Sequence, residues 1–270
     1  MLAGSRPMDI EVALTALEAE IEPLERFLRI FAASLNTPHM RRGDGDTRFF
    51  RYDHPDVRHF CLLKSVVTVS ALNASFALAR KGYIQEINVL MRTVVECSAH
   101  IEFVIEPFNS DDHRAAADGY VKDYFADSKR SPVAEITKAH IKRGNVHTAL
   151  GETLDDFAQR RGDTKGRIPA VVLNSNSYRI FSNFVHARYP EAIDLFGGRP
   201  GEFQLRGMSG TAKDTENLAT LQAFLETAAT TGIRMIQGLN LRTLVEGDPI
   251  VARWYEEKLS NADPMRATGN

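Results

Sequence analysis

The chain has 270 residues, 43% of them hydrophobic and 25% charged, enough to bury a sizeable core and ordinary for a globular protein. Lysine and arginine number 33 against 35 acidic residues, a formal charge of -2, which excludes a global attraction to nucleic acid or anionic membrane and leaves only local patches for such partners. The two cysteines, Cys61 and Cys97, are too far apart in the chain to suggest a disulfide framework or a metal knuckle, so a reducing cytoplasm is the expected compartment.

The N-terminal MLAGSRPMDIEVALTALEAEIE turns acidic where a signal peptide needs an apolar core, and none is expected. DIEVALTALEAEIEPLERFLRIFAASL predicts a long first helix, kinked near Pro23 where a backbone donor is lost. A loop follows through NTPHMRRGDGDTRFFRYDHP. The second helix runs from about 55 to 80, with Gly82 at the C′ position. Its uncharged run between Lys64 and Arg80 is shorter than a membrane span and carries Ser65, Ser70, Asn73 and Ser75, which fits a buried helix of a soluble protein. A third helix, from about 84 to 106, stops before Pro107. Ser110, Asp111 and Asp112 open a fourth, because carboxylates favour the positive helix end. Ser131 and Pro132 read as the cap and first-turn proline of a fifth, reaching about 161.

RGDTKGRIP is a polar break before a helix over YRIFSNFVHARYP. GGRPGEFQLRGMSG reads as a long surface loop or flap. A long helix from about 214 to 245 follows, then a short one from Asp248-Pro249, and the tail is expected to fray. No alternating strand run of useful length stands out. The expected fold is all-α: one helical bundle domain over 1–260, of seven or eight helices with a glycine-rich loop, and a disordered tail over 261–270.

Two helices carry polar stripes. In YRIFSNFVHARYP, at about 100° per residue, Ile180, Phe181, Phe184, Val185 and Ala187 cover one arc, and Arg179, Ser182, Asn183 and His186 the opposite one. The apolar arc docks the helix, and the polar arc faces water, a cleft or a partner. In IQEINVLMRTVVECSAHIEFVIE, apolar residues wrap over half the circumference and leave a narrow stripe of Gln85, Asn88, Arg92, Glu96 and His100. Arg92 and Glu96 are four apart and can pair. An unpaired charge inside a bundle costs several kcal/mol, so these groups need partners. The stripe is either a register-fixing ion pair or the wall of a polar cleft.

The arginine, six intervening residues and histidine of RIFSNFVH resemble the R-x4-6-H signature of the HEPN superfamily, all-α proteins that include many metal-independent endoribonucleases of toxin–antitoxin and phage-defence systems. MRTVVECSAHIEF followed by YRIFSNFVHARYP also resembles a family of uncharacterised bacterial helical proteins with an R-x3-E helix and a serine-x-x-x-histidine helix. The first resemblance implies a homodimer that gathers two copies of Arg179 and His186 around one RNA phosphodiester, with Ser182 and Asn183 orienting it. It implies no cofactor and no metal, and a possible protein partner such as an antitoxin. The alternatives are a non-enzymatic interaction protein whose stripes are structural, and a pocket binding an anionic small ligand through Arg92 and Arg179.

Other features point less far. RRGDGDTRFFRYD mixes four arginines with Phe49, Phe50 and Tyr52, a composition suited to a nucleic-acid single strand. Asp44, Asp46 and Asp53 nearly cancel that charge, and a structured loop with its aromatics tucked into the core is expected. The eight histidines are scattered without a metal-binding motif. GMSGTAK lacks the spacing of a phosphate loop. Both cysteines fall in apolar patterns, which argues against a thiol nucleophile.

Overall fold

A computed structural model of the chain describes residues 10–42, 48–105, 111–126, 179–262 apart from 198, 201 and 212, and four positions between 151 and 159. The expected fifth helix, apart from those four positions, the polar break after it and the C-terminal tail beyond 262 lie outside the described residues.

The described protein is mostly helical. In chain order come α1 (Ile10–Ala19), α2 (Glu22–Ala33), β1 (His39–Arg42), β2 (Arg48–Arg51), α3 (Val57–Ala79), α4 (Ile84–Ile105) and α5 (Asp111–Ala126). Residues 179–185 are helical, and α6 (Tyr189–Ile193), α7 (Lys213–Gly238), α8 (Arg242–Glu246) and α9 (Pro249–Ala262) complete the described elements.

The core forms where α3, α4 and α7 pack on one another. Phe60, Leu72 and Phe76 from α3, Ile87, Met91 and Val94 from α4, and Leu221, Met235 and Ile236 from α7 are completely buried. Phe27 and Phe31 of α2 close one side, and Trp254 and Tyr255 of α9 join the same cluster. Polar contacts fix the register: Glu102 of α4 accepts from Arg234 Nη1 at 2.6 Å and from Thr231 Oγ1 at 3.3 Å, both on α7. Burial pushes the Glu102 carboxyl up, and Arg234 and Thr231 pull it back. Arg26 of α2 donates to Asp248 Oδ2 at 2.7 Å. The other oxygen of Asp248 accepts from the backbone N–H groups of Ile250 and Val251, so one carboxylate caps α9 and ties it to α2.

By length and apolar composition α3 is sufficient to cross a membrane, yet half of its most apolar window is buried inside the protein. Phe60, Leu72 and Phe76 show what that apolarity serves, the packing of α4 and α7.

Three elements differ from expectation. The first helix is broken rather than kinked: α1 ends at Ala19, and Pro23 sits in the first turn of α2, where its missing N–H costs nothing. The helix expected over 214–245 stops at Gly238, because Asn240 adopts φ 54° and Leu241 N donates back to Ile236 O. Asparagine tolerates this left-handed conformation better than most residues, and α8 starts anew beyond it. Finally, the expected loop after α2 contains an antiparallel hairpin, with His39 opposite Arg51, Met40 opposite Phe50, Arg41 opposite Phe49 and Arg42 opposite Arg48.

Candidate functional site

α4 carries its stripe as the spacing requires. Ile87, Met91 and Val94 lie in the core, which leaves Gln85, Asn88, Arg92, Glu96 and His100 on the far side, all half-buried. Arg92 Nε donates to Glu96 Oε1 at 3.0 Å, the pairing that the four-residue spacing allows. The His100 ring meets Tyr120 of α5 edge-on at 5.3 Å, and Tyr120 also packs edge-on to Phe60 and Phe103. Lys64 of α3 lies over the rings of Phe60, at 5.7 Å, and Tyr124, at 5.0 Å, a cation–π arrangement. The middle of the stripe is an ion pair and its C-terminal end is framed by aromatic rings.

The helical segment 179–185 is held differently. Phe181 packs edge-on against Phe224 of α7 at 4.9 Å, and Phe184 is half-buried. The docking arc is narrower than the helical wheel implied: Ile180 is 50% and Val185 41% exposed. Ala187 does not belong to the arc at all, because it lies beyond the helix end with φ 44°. There Arg188 N donates to Asn183 O and Ala187 N to Phe184 O, both at 3.1 Å, which is the Schellman closure of a helix C-terminus. His186 is therefore the C-cap. Its N–H still bonds to Ser182 O at 3.1 Å, which keeps it on the helical spiral seven residues from Arg179. Arg179 and His186 are both exposed, while Ser182 and Asn183 between them are half-buried.

α4 is tied to the chain that follows the second stripe. Gln85 Nε2, on the first turn of α4, donates to Glu191 O in α6 at 2.6 Å. The chain just past His186 is thus anchored about two turns of α4 from Arg92 and about four from His100. On the same side, Met208 N donates to Gly82 O at 2.8 Å, which seats the glycine-containing stretch before α7 on the α3–α4 turn. The seat requires glycine twice. Gly82 has φ 72°, and an added Cβ would lie 2.1 Å from Ser209 N; Gly207 has φ 91°, and its Cβ would lie 2.0 Å from Lys81 O.

Other candidate chemistry is closed off. Cys61 and Cys97 are free and buried, and burial pushes both thiols up, away from the nucleophilic thiolate. A cavity of about 470 Å³ lies between α7 and α9, lined by Glu226, Arg234, Gln237 and Lys258 among others. Its lining includes neither Arg92 nor Arg179, the residues of the alternative anionic-ligand pocket. Sequence reasoning passed over the aromatic frame of Tyr120, Phe60 and Phe103, although Tyr120 and Tyr124 at helical spacing were its visible signal. Comparison with protein-family models, with curated proteins and with solved structures finds no match to this chain.

Proposed function

We propose that the chain is a metal-independent endoribonuclease of the HEPN kind, acting in the cytoplasm as a homodimer, with Arg179 and His186 as its catalytic residues. The observation that supports this most is the presentation of that pair. Both side chains are exposed and two turns apart on a segment whose opposite side is seated on α7 through Phe181. Ile180 and Val185 of the segment are exposed, as are Tyr189, at 77%, Phe203, at 50%, and Leu205, at 79%, further along the chain. An apolar surface of this kind favours burial against a second copy.

In that dimer one His186 imidazole takes the proton from an RNA 2′-hydroxyl. The 2′-oxygen attacks phosphorus, the bond from phosphorus to the 5′-oxygen breaks, and the other His186, in its protonated form, gives the leaving oxygen a proton. The Arg179 guanidinium groups hold the phosphate and stabilise its developing charge. The products carry 2′,3′-cyclic phosphate and 5′-hydroxyl ends. Ser182 and Asn183 orient the phosphodiester. A toxin or defence module, with a protein partner that restrains the activity, is the setting this chemistry suits.

A structural reading is favoured for α4. Arg92 and Glu96 satisfy each other on a helix whose opposite face is core, so their part is to hold the scaffold on which α6 is anchored. The test is incubation of the purified protein with mixed cellular RNA in EDTA, beside His186→Ala and Arg179→Ala variants of verified fold. Cleavage by the wild type alone, with cyclic-phosphate ends, is the expected result. Cleavage that survives both substitutions would remove these residues from the chemistry, and an inert wild type would favour an interaction protein.

A further inference from the structure

The β1–β2 hairpin has two faces that differ in how their charges are partnered. Cross-strand partners share a face and successive residues alternate, so His39, Arg51 and Arg41 belong to one face and Met40, Phe50, Arg42 and Arg48 to the other. The first face is tied down: Asp53 accepts from Arg41 and lies 3.4 Å from His39 Nε2, and Arg51 is half-buried. His39 and Arg41 are exposed as well, but the second face carries the open apolar side chains, Met40 55% and Phe50 60% exposed, with Arg42 and Arg48 also exposed. The expectation that the aromatics of this stretch tuck into the core fails at Phe50.

The base of the hairpin is clamped. His59, in the first turn of α3, is buried, with Nδ1 2.6 Å from Asp56 Oδ1 and Nε2 2.5 Å from Asn36 Oδ1. Asn36 precedes the hairpin and Asp56 follows it, so one imidazole fastens both ends, and Tyr52 packs edge-on against its ring at 4.4 Å. The open face is therefore presented on a fixed support.

Arg42 and Arg48 are directly opposite each other, and like charges in that position repel. Among the described residues neither has a carboxylate partner. An anion between them would relieve the repulsion. About 7 Å along the strands, one step of the same face, lie the Phe50 ring and Met40. Paired cations beside a flat exposed ring match a nucleotide's phosphate and base, and a ring that stacks on a base needs that base unpaired.

We infer that this hairpin face binds single-stranded nucleic acid, with Arg42 and Arg48 on phosphate and Phe50 stacked on a base. The site is separate from Arg179 and His186 and stands without the ribonuclease reading. Its test is fluorescence polarisation with a short labelled oligo(dT), which lacks the 2′-hydroxyl and so cannot undergo the proposed cleavage. The wild type should bind at low salt. Phe50→Ala should weaken binding by roughly tenfold. The double variant Arg42→Ala/Arg48→Ala should weaken it further and reduce the slope of log affinity against log salt by about 1.4. These side chains are exposed, so circular dichroism of both variants should match the wild type. Failure of the wild type to bind, or binding unchanged in both variants, would overturn the inference. So would displacement by polyglutamate as effective as by unlabelled oligo(dT), which would mark an acidic peptide surface instead.

Discussion

Arg92 and Glu96 on α4, four residues apart, and Arg179 and His186 on the 179–186 segment, seven apart, follow the same helical period in different surroundings. α4 buries Ile87, Met91 and Val94 completely, so its charges lie close to the core and answer one another at 3.0 Å. The 179–186 segment is seated through Phe181, leaves Ile180 and Val185 half in solvent, and turns its arginine and histidine outward. Helical spacing puts charges on one face; the depth of the opposite face decides how far they are buried.

The largest expected effect lies in α4. Met91→Ala should cost about 2–5 kcal/mol of stability in chemical denaturation, whereas Ile180→Ala should stay within about 0.5 kcal/mol. Equal losses would break the comparison. Next comes the support shared by the two regions: Gly82→Ala must place a Cβ against Ser209 N in a left-handed conformation. The conformation alone costs about 1–2 kcal/mol. Hydrogen exchange should report faster opening of residues 205–211, and a wild-type pattern would show that the seat adapts.

The ion pair gives a smaller effect. Arg92→Ala and Glu96→Ala should each cost about 1 kcal/mol, because each leaves a half-buried partner without its hydrogen bond. A double-mutant cycle should return a coupling of several tenths of a kcal/mol. No coupling would show that the pair adds nothing to the α4 scaffold. Smallest is a gain. Ala187 holds a left-handed C′ position that Gly82 and Asn240 fill at two other Schellman ends among the described residues, so Ala187→Gly should stabilise the end of the segment by about 0.5 kcal/mol, read as a raised Tm. The same substitution should leave RNA cleavage intact if His186 needs only its place as C-cap.

Much of the helical order was legible, and the misses have identifiable causes. The ends of α3 and α4 followed from Gly82 and Pro107, whose backbone restrictions act locally. Asn240 was missed because asparagine is tolerated within a helix, and only its observed φ marks the end of α7. The hairpin was missed because HMRR and RFFR have no apolar–polar alternation; His59, Asn36 and Asp56 fasten it from outside the strands. Of the candidate site, Arg92 beside Glu96 could be read from a four-residue interval, but the burial around it could not.

The sequence by itself determined the mainly helical character, the two polar stripes and the low reactivity of both cysteines, because helical period and side-chain chemistry are properties of short stretches. Only the tertiary structure decided how deeply Arg92 and Glu96 are buried, that His186 stands exposed at a helix end and that Phe50 faces solvent beside Arg42 and Arg48. Those outcomes depend on what packs against each face, and the packing residues lie far away along the chain: Phe224 for the segment carrying His186, α3 and α7 for α4, and Asn36 with His59 for the hairpin.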